Sequence, residues 1–129
     1  MERKMEFEEL TPAEMQIMRV VWANPEPISV PELTRQLKEE YGKDYARTTI
    51  VTFLTYMKSK GYVYTERNGK LAYVYTAKTE KEFLQDEARH TVNRWFNGST
   101  AGFLAALYDS GSMSEEDIRK AREYLDEMG

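Results

Sequence analysis

Between positions 48 and 55 the chain places four threonines, Thr48, Thr49, Thr52 and Thr55, inside a run that otherwise reads as a helix. Each costs roughly half a kcal/mol relative to alanine in a helix interior. A local rule broken this often marks a surface shaped by function. On a 100° wheel with Ile50 at the centre of the buried face, Leu54 and Met57 fall within about 40° of it. Thr48, Thr52, Thr55 and Ser59 gather on the opposite face, with Val51 at its edge. Hydroxyls meet most base edges, and threonine and valine methyls pack on the C5-methyl of thymine in a major groove. Thr48, Thr49, Val51, Thr52 and Thr55 are therefore candidate base readers; a merely polar, solvated face is the alternative.

Cations surround this stretch. Arg47, at the start of the same helix, is placed to reach a phosphate or a guanine, or else to pair with Asp44. Arg67, Asn68 and Lys70 sit around a turn where charges have no core to serve, as phosphate contacts or as solubilising groups. Lys58 and Lys60 end the helix favourably at its negative pole or touch phosphate. The net charge of −4 conceals this distribution: residues 1–42 carry 5 basic and 9 acidic side chains, residues 43–70 carry 6 and 2, and residues 79–129 carry 6 and 11. A positive contacting face is enough for nucleic acid, whatever the total.

Other chemistry is poorly supplied. There are no cysteines, which removes disulfides, cysteine-ligated metals and thiol catalysis. The single histidine, His90, lies off the apolar stripe of its helix and reads as a surface residue rather than a ligand. There is no Gly-rich phosphate loop, metal cluster or nucleophile–base set, so we expect no enzyme, no metal and no cofactor. No apolar run approaches the ~20 residues of a membrane helix. Met1 to Glu9 is charged, with no apolar signal core, so a cytoplasmic protein is expected.

The elements that must position these residues can be read from periodicity. Thr11-Pro12-Ala13-Glu14 is a capping box with proline at the first helical position, followed by Met15, Met18, Val21 and Trp22 at helical spacing. Asn24-Pro25-Glu26-Pro27 ends that helix. Ser29 and Glu32 form a second capping box before Val30, Leu33, Leu37 and Tyr41, and Gly42 stops the helix. A third helix runs from about Ala46 to Lys60. The period then changes: Tyr62–Arg67 and Lys70–Tyr75 are strand-like runs joined by Asn68-Gly69, a strong hairpin signal. In that register Tyr64 faces Tyr73 and Tyr62 faces Tyr75. Packing on the helices is favoured for these tyrosines over stacking on single-stranded bases.

Three helices and a tight hairpin give the order of a winged helix–turn–helix. The fold class expected is thus mainly α with a small antiparallel hairpin, a winged domain over 1–78 and a helical dimerisation domain over 79–129. The second part offers three helices, each with one apolar stripe, broken at Asn97-Gly98 and capped at Ser99 and Ser114. So little chain rarely closes a core alone. A second copy is the simplest cover for Leu84, Val92, Trp95, Phe96, Phe103, Leu104, Leu107, Ile118 and Leu125, giving a two-fold homodimer.

The sequence resembles the penicillinase repressor (BlaI/MecI) family over nearly its whole length. The resemblance rests on Leu10-Thr-Pro-Ala-Glu14, Met18-Arg-Val-Val-Trp22, Arg47-Thr-Thr49, Lys60-Gly-Tyr62 and Asn68-Gly-Lys70 with Tyr73 and Tyr75. Phe96-Asn-Gly-Ser99, Leu104-Ala-Ala-Leu107 and Met113-Ser-Glu-Glu-Asp-Ile118 complete the ordered set. It implies a homodimeric winged-helix repressor on an inverted repeat of double-stranded DNA. It also implies relief by a membrane sensor-protease system that leads to cleavage in the C-terminal part, the scissile bond aligning near Ala106 and Leu107. The chain departs from the family in two respects. It lacks the C-terminal cysteines of the copper-responsive branch. It has Thr48, Val51 and Tyr56 where members reading penicillinase operators usually place Lys or Arg. A winged-helix protein–protein adaptor that no longer binds DNA is the competing reading; an adaptor has no reason to confine positive charge to residues 43–70.

Overall fold

The computed structural model describes residues 9–129; the charged N-terminus read above as lacking a signal core lies almost wholly outside them. The chain runs α1 (Pro12–Ala23), β1 (Ile28–Ser29), α2 (Val30–Tyr41), α3 (Arg47–Ser59), β2 (Val63–Asn68), β3 (Leu71–Thr76), α4 (Glu80–Trp95), α5 (Thr100–Asp109) and α6 (Glu115–Met128). It is mainly helical with one small antiparallel sheet, and its first six elements form a winged helix–turn–helix. Two compact units divide inside α4, between Gln85 and Asp86, later than the boundary expected after Lys78.

In the first unit, local signals set the helix ends. The Thr11 hydroxyl accepts from the Glu14 amide at 3.2 Å, and the Glu14 carboxylate accepts from the Thr11 amide at 2.9 Å, completing the first capping box. The second is only half made. Ser29 Oγ accepts from the Glu32 amide at 3.2 Å, but Glu32 turns its carboxylate to Arg35 and Gln36. The Arg35 guanidinium holds the Glu32 carboxyl down to about 2. Gly42 ends α2 with φ +67°, a left-handed conformation that glycine adopts without strain.

The core of this unit is built from one face each of α1, α2 and α3 and the inner face of the sheet. Ile17, Met18, Leu33, Leu37, Ile50, Met57 and Val74 are fully buried. Met15, Trp22, Tyr41 and Phe53 pack at its margin. The two-residue strand β1, not expected from the sequence, pairs Ile28 with Val74 and Ser29 with Tyr73, making a three-stranded sheet of order β1-β3-β2.

The hairpin forms where expected but in a different register. Asn68 pairs with Leu71, so the turn is Gly69-Lys70 rather than Asn68-Gly69. Tyr64 faces Tyr75 and Glu66 faces Tyr73, while Tyr62 lies outside the strand. The reason is backbone conformation. Gly69 has φ +69°, whereas Asn68 and Lys70 do not have positive φ. A type I′ turn over Asn68-Gly69 needs positive φ at both residues; a Gly-first turn needs it only at Gly69.

In the second unit, α5 and α6 contain no buried residue. Asn97 has φ +51° and Gly98 φ +83°, which separates α4 from α5. Ser99 caps α5 through the Gly102 amide at 2.9 Å. Ser114 and Asp117 make a full capping box on α6, whose hydrogen bonds hold the Asp117 carboxyl below the usual carboxylate range.

Candidate nucleic-acid interface

Helix α3 is held by Ile50, Leu54 and Met57, all buried, and by the edge-to-face contact of Tyr45 with Phe53 at 5.3 Å. That anchoring turns Thr48, Val51, Thr52, Thr55, Tyr56 and Ser59 outward; all six are exposed. They recur at three- and four-residue intervals and so form one stripe along the helix. Thr49 is half-buried at the stripe's margin. Tyr56, 58% exposed, belongs to the stripe although it was singled out above only as a departure from the family. Its place opposite the core face was the signal available.

The stripe is uncharged, and its hydroxyl protons are largely committed. Thr52 Oγ1 donates to the Thr48 carbonyl at 3.0 Å, Thr55 Oγ1 to the Val51 carbonyl at 2.9 Å, and Ser59 Oγ to the Tyr56 carbonyl at 2.8 Å. The N-terminus of α3 has no side-chain cap, since Ala46 occupies that position. Its first amides therefore remain available to an anion, beside Arg47.

The cations divide into two groups. Asp44, the partner considered for Arg47, instead lies 3.9 Å from Lys38, and Arg47 is exposed with no ion pair among the described residues. Lys70 is likewise exposed and unpaired at the wing tip. Arg67 donates to the Lys70 carbonyl at 3.2 Å, which ties its side chain to that turn, and Asn68 is exposed beside it. Lys58 Nζ reaches Thr65 Oγ1 at 3.3 Å. Lys60 differs from all of these: its ammonium lies 2.7 Å from the buried Glu14 carboxylate and donates to the Glu9 carbonyl at 3.0 Å. It is a packing residue of the first unit.

The tyrosines separate by face. Tyr62 is 1% exposed, in the core, beside Phe83. Tyr64 stacks on Tyr75 with centroids 5.0 Å apart and planes 11° from parallel, on the outer face of the sheet. Partial burial and the Glu66 carboxylate raise the Tyr75 phenol above its ordinary value.

The chain from Leu10 onward is the decisive comparison: residues 10–127 match the family model described as penicillinase repressor. The chain belongs to the penicillinase repressor family. Among relatives of this family member, the methicillin resistance regulatory protein MecI of Staphylococcus aureus strain N315 is 20% identical over 117 residues, covering 91% of this chain and 93% of MecI. An uncharacterised 16.5 kDa protein of Latilactobacillus sakei is 28% identical over 118 residues, covering 91% of this chain and 78% of its own. The solution structure of monomeric Bacillus licheniformis BlaI in complex with the blaP half-operator aligns at 21% identity over 60% of this chain and 90% of its own, with a TM-score of 0.48.

The residues expected at a dimer interface occupy varied positions. Trp95, Leu104, Leu107 and Leu125 are exposed; Ile118 is half-buried; Phe96 and Phe103 are half-buried against each other at 5.2 Å. Val92 is 7% exposed and so already covered within a single chain, and Leu84, though 57% exposed, falls in the first unit. An apolar groove of about 470 Å³ lies between α5 and α6, lined by Leu104, Tyr108, Met113, Ile118 and Leu125 among others. Ala106 and Leu107 are exposed on α5. His90 lies 3.3 Å from the Arg94 guanidinium on the surface of α4. Among the described residues no helix is long and apolar enough to cross a membrane.

Proposed function

We propose that the protein is a DNA-binding transcriptional repressor that acts as a homodimer on an inverted-repeat operator. The observation that carries this reading is the exposed stripe from Thr48 to Ser59 on the third helix of a winged helix–turn–helix. It lies in the one basic stretch of an acidic chain. In such a fold the second helix of the turn motif enters the major groove. Thr48, Val51, Thr52 and Thr55 then meet base edges, with Thr49 at their margin. Arg47, Arg67, Asn68 and Lys70 contact the phosphate backbone, which supplies affinity and register without sequence information.

Residues 79–129 supply the dimer contact. The support is physical: no residue of α5 or α6 is fully buried within one chain, and Leu104, Leu107, Tyr108 and Leu125 are exposed. Two linked half-site contacts act at high effective concentration, so dimerisation sets operator affinity. Relief by proteolysis near Ala106 and Leu107, set in train by a membrane sensor-protease system, follows from the family. A cut there would detach α6 and loosen the dimer. Because α5 has no buried residue within one chain, opening it in a dissociated monomer costs little packing.

The test is selection of bound sequences from a pool of random duplexes, repeated at higher salt. An inverted repeat should be enriched, and binding should fall steeply as salt rises. Recovery of no preferred sequence at either salt concentration would favour the adaptor reading, which the absence of Lys or Arg on the stripe otherwise keeps in view.

A further inference from the structure

We infer that α3 reads its operator through the C5-methyl groups of thymine, so that the base pairs beneath its centre are A·T pairs. The inference rests on the DNA-reading role proposed above and specifies which bases that role selects.

Three observations lead to it. The exposed stripe of Thr48, Val51, Thr52, Thr55, Tyr56 and Ser59 contains no charged side chain. The hydroxyl protons of Thr52 and Thr55 are already donated to the carbonyls of Thr48 and Val51. The neighbouring cations point elsewhere or stand off the stripe: Lys58 is engaged with Thr65, Lys60 with Glu14, and Arg47 belongs to the first turn.

Guanine presents only acceptors, N7 and O6, in the major groove, so its recognition needs a donor. A threonine whose proton is committed to its own helix cannot supply one unless it gives up that bond. What Thr52 and Thr55 still offer is a methyl group and a lone pair. Val51, 45% exposed, offers two methyls. Thymine is the base that places an apolar group in the major groove, and its partner adenine places the N6 amino group beside it. Methyl against methyl, with the threonine oxygen accepting from N6, satisfies Val51, Thr52 and Thr55, the residues at the centre of the stripe. A G·C pair beneath Thr52 and Thr55 would find no free donor on either side chain for guanine's acceptors and no methyl for Val51.

The probe is the duplex recovered by selection, compared with copies in which single thymines are replaced by deoxyuridine. That change removes the C5-methyl and keeps base pairing and groove hydrogen bonding. At one or more thymines in each half-site, binding should weaken about fourfold, the factor expected for one methyl-sized group withdrawn from an apolar contact. Val51→Ala and Thr52→Ser, both exposed and the second retaining its hydroxyl, should weaken the thymine duplex by a similar factor. Each should also become indifferent to uracil at its own position. Circular dichroism of the variants checks that the fold is kept. If uracil copies bind as tightly as the thymine duplex at every position while a scrambled duplex binds weakly, DNA reading stands and methyl recognition is wrong. If selection yields no preferred duplex, both fall together.

Discussion

The Lys60 ammonium lies 2.7 Å from the Glu14 carboxylate, joining the first turn of α1 to the residue that ends α3. Glu14 is 3% exposed and also receives the Thr11 amide, so one carboxylate serves a helix cap and a long-range ion pair. Removing one partner of such a pair leaves a buried charge uncompensated. Lys60→Met should therefore destabilise the fold by about 3 kcal/mol, at the low end for buried pairs because Lys60 keeps some solvent contact. Lys58→Met, on an exposed side chain, should change stability by less than about 0.5 kcal/mol. Urea denaturation of both variants measures the difference; equal, small effects would show that the pair contributes nothing.

Phe83 fixes how far the winged unit extends. Its ring packs 5.4 Å from Trp22 and 5.8 Å from Tyr62, so the first turn of α4 belongs with the first unit. Phe83→Ala should cost about 1–2 kcal/mol, less than for a fully buried phenylalanine. A chain ending after Gln85 should unfold at higher urea than one ending after Lys78, which lacks Phe83. Coincident transitions would contradict this.

Self-association should depend on α5 and α6. The full chain should sediment as a dimer at micromolar concentration. Leu107→Glu or Leu125→Glu, each placing a charge on an exposed apolar position, should shift it to monomer and weaken DNA binding. A monomeric unsubstituted chain at that concentration would contradict the dimer.

The elements that follow a strong local period were legible in the sequence. The caps at Thr11, Ser99 and Ser114, the Gly42 stop and the core face of α3 depend on neighbours within a few residues, and local spacing records those. Strand β1 was not legible, because two residues beside Pro25 and Pro27 carry no alternation and Ser29 already reads as a cap. The hairpin register slipped because Asn-Gly names a turn without saying whether asparagine lies in it or in the strand. The pairing of Lys60 with Glu14 spans 46 residues, and only tertiary packing brings them together. In the candidate site, the outward face of α3 was visible from the wheel. The commitment of its threonine hydroxyls was not, since the same side chains have rotamers that leave the proton free.

The central claim is that α3 reads and the wing holds, and paired variants test it most directly. Affinity for the selected duplex and a scrambled one should be measured at several salt concentrations for Thr52→Ala and Lys70→Ala. Thr52→Ala should alter which sequences are preferred, at a cost on the order of 1–3 kcal/mol at the matching base pair. Lys70→Ala should weaken all sequences about equally and lower the salt slope by about one. If Thr52→Ala leaves the preference untouched while Lys70→Ala changes it, the assignment of reader and holder is reversed and the account of this interface is wrong.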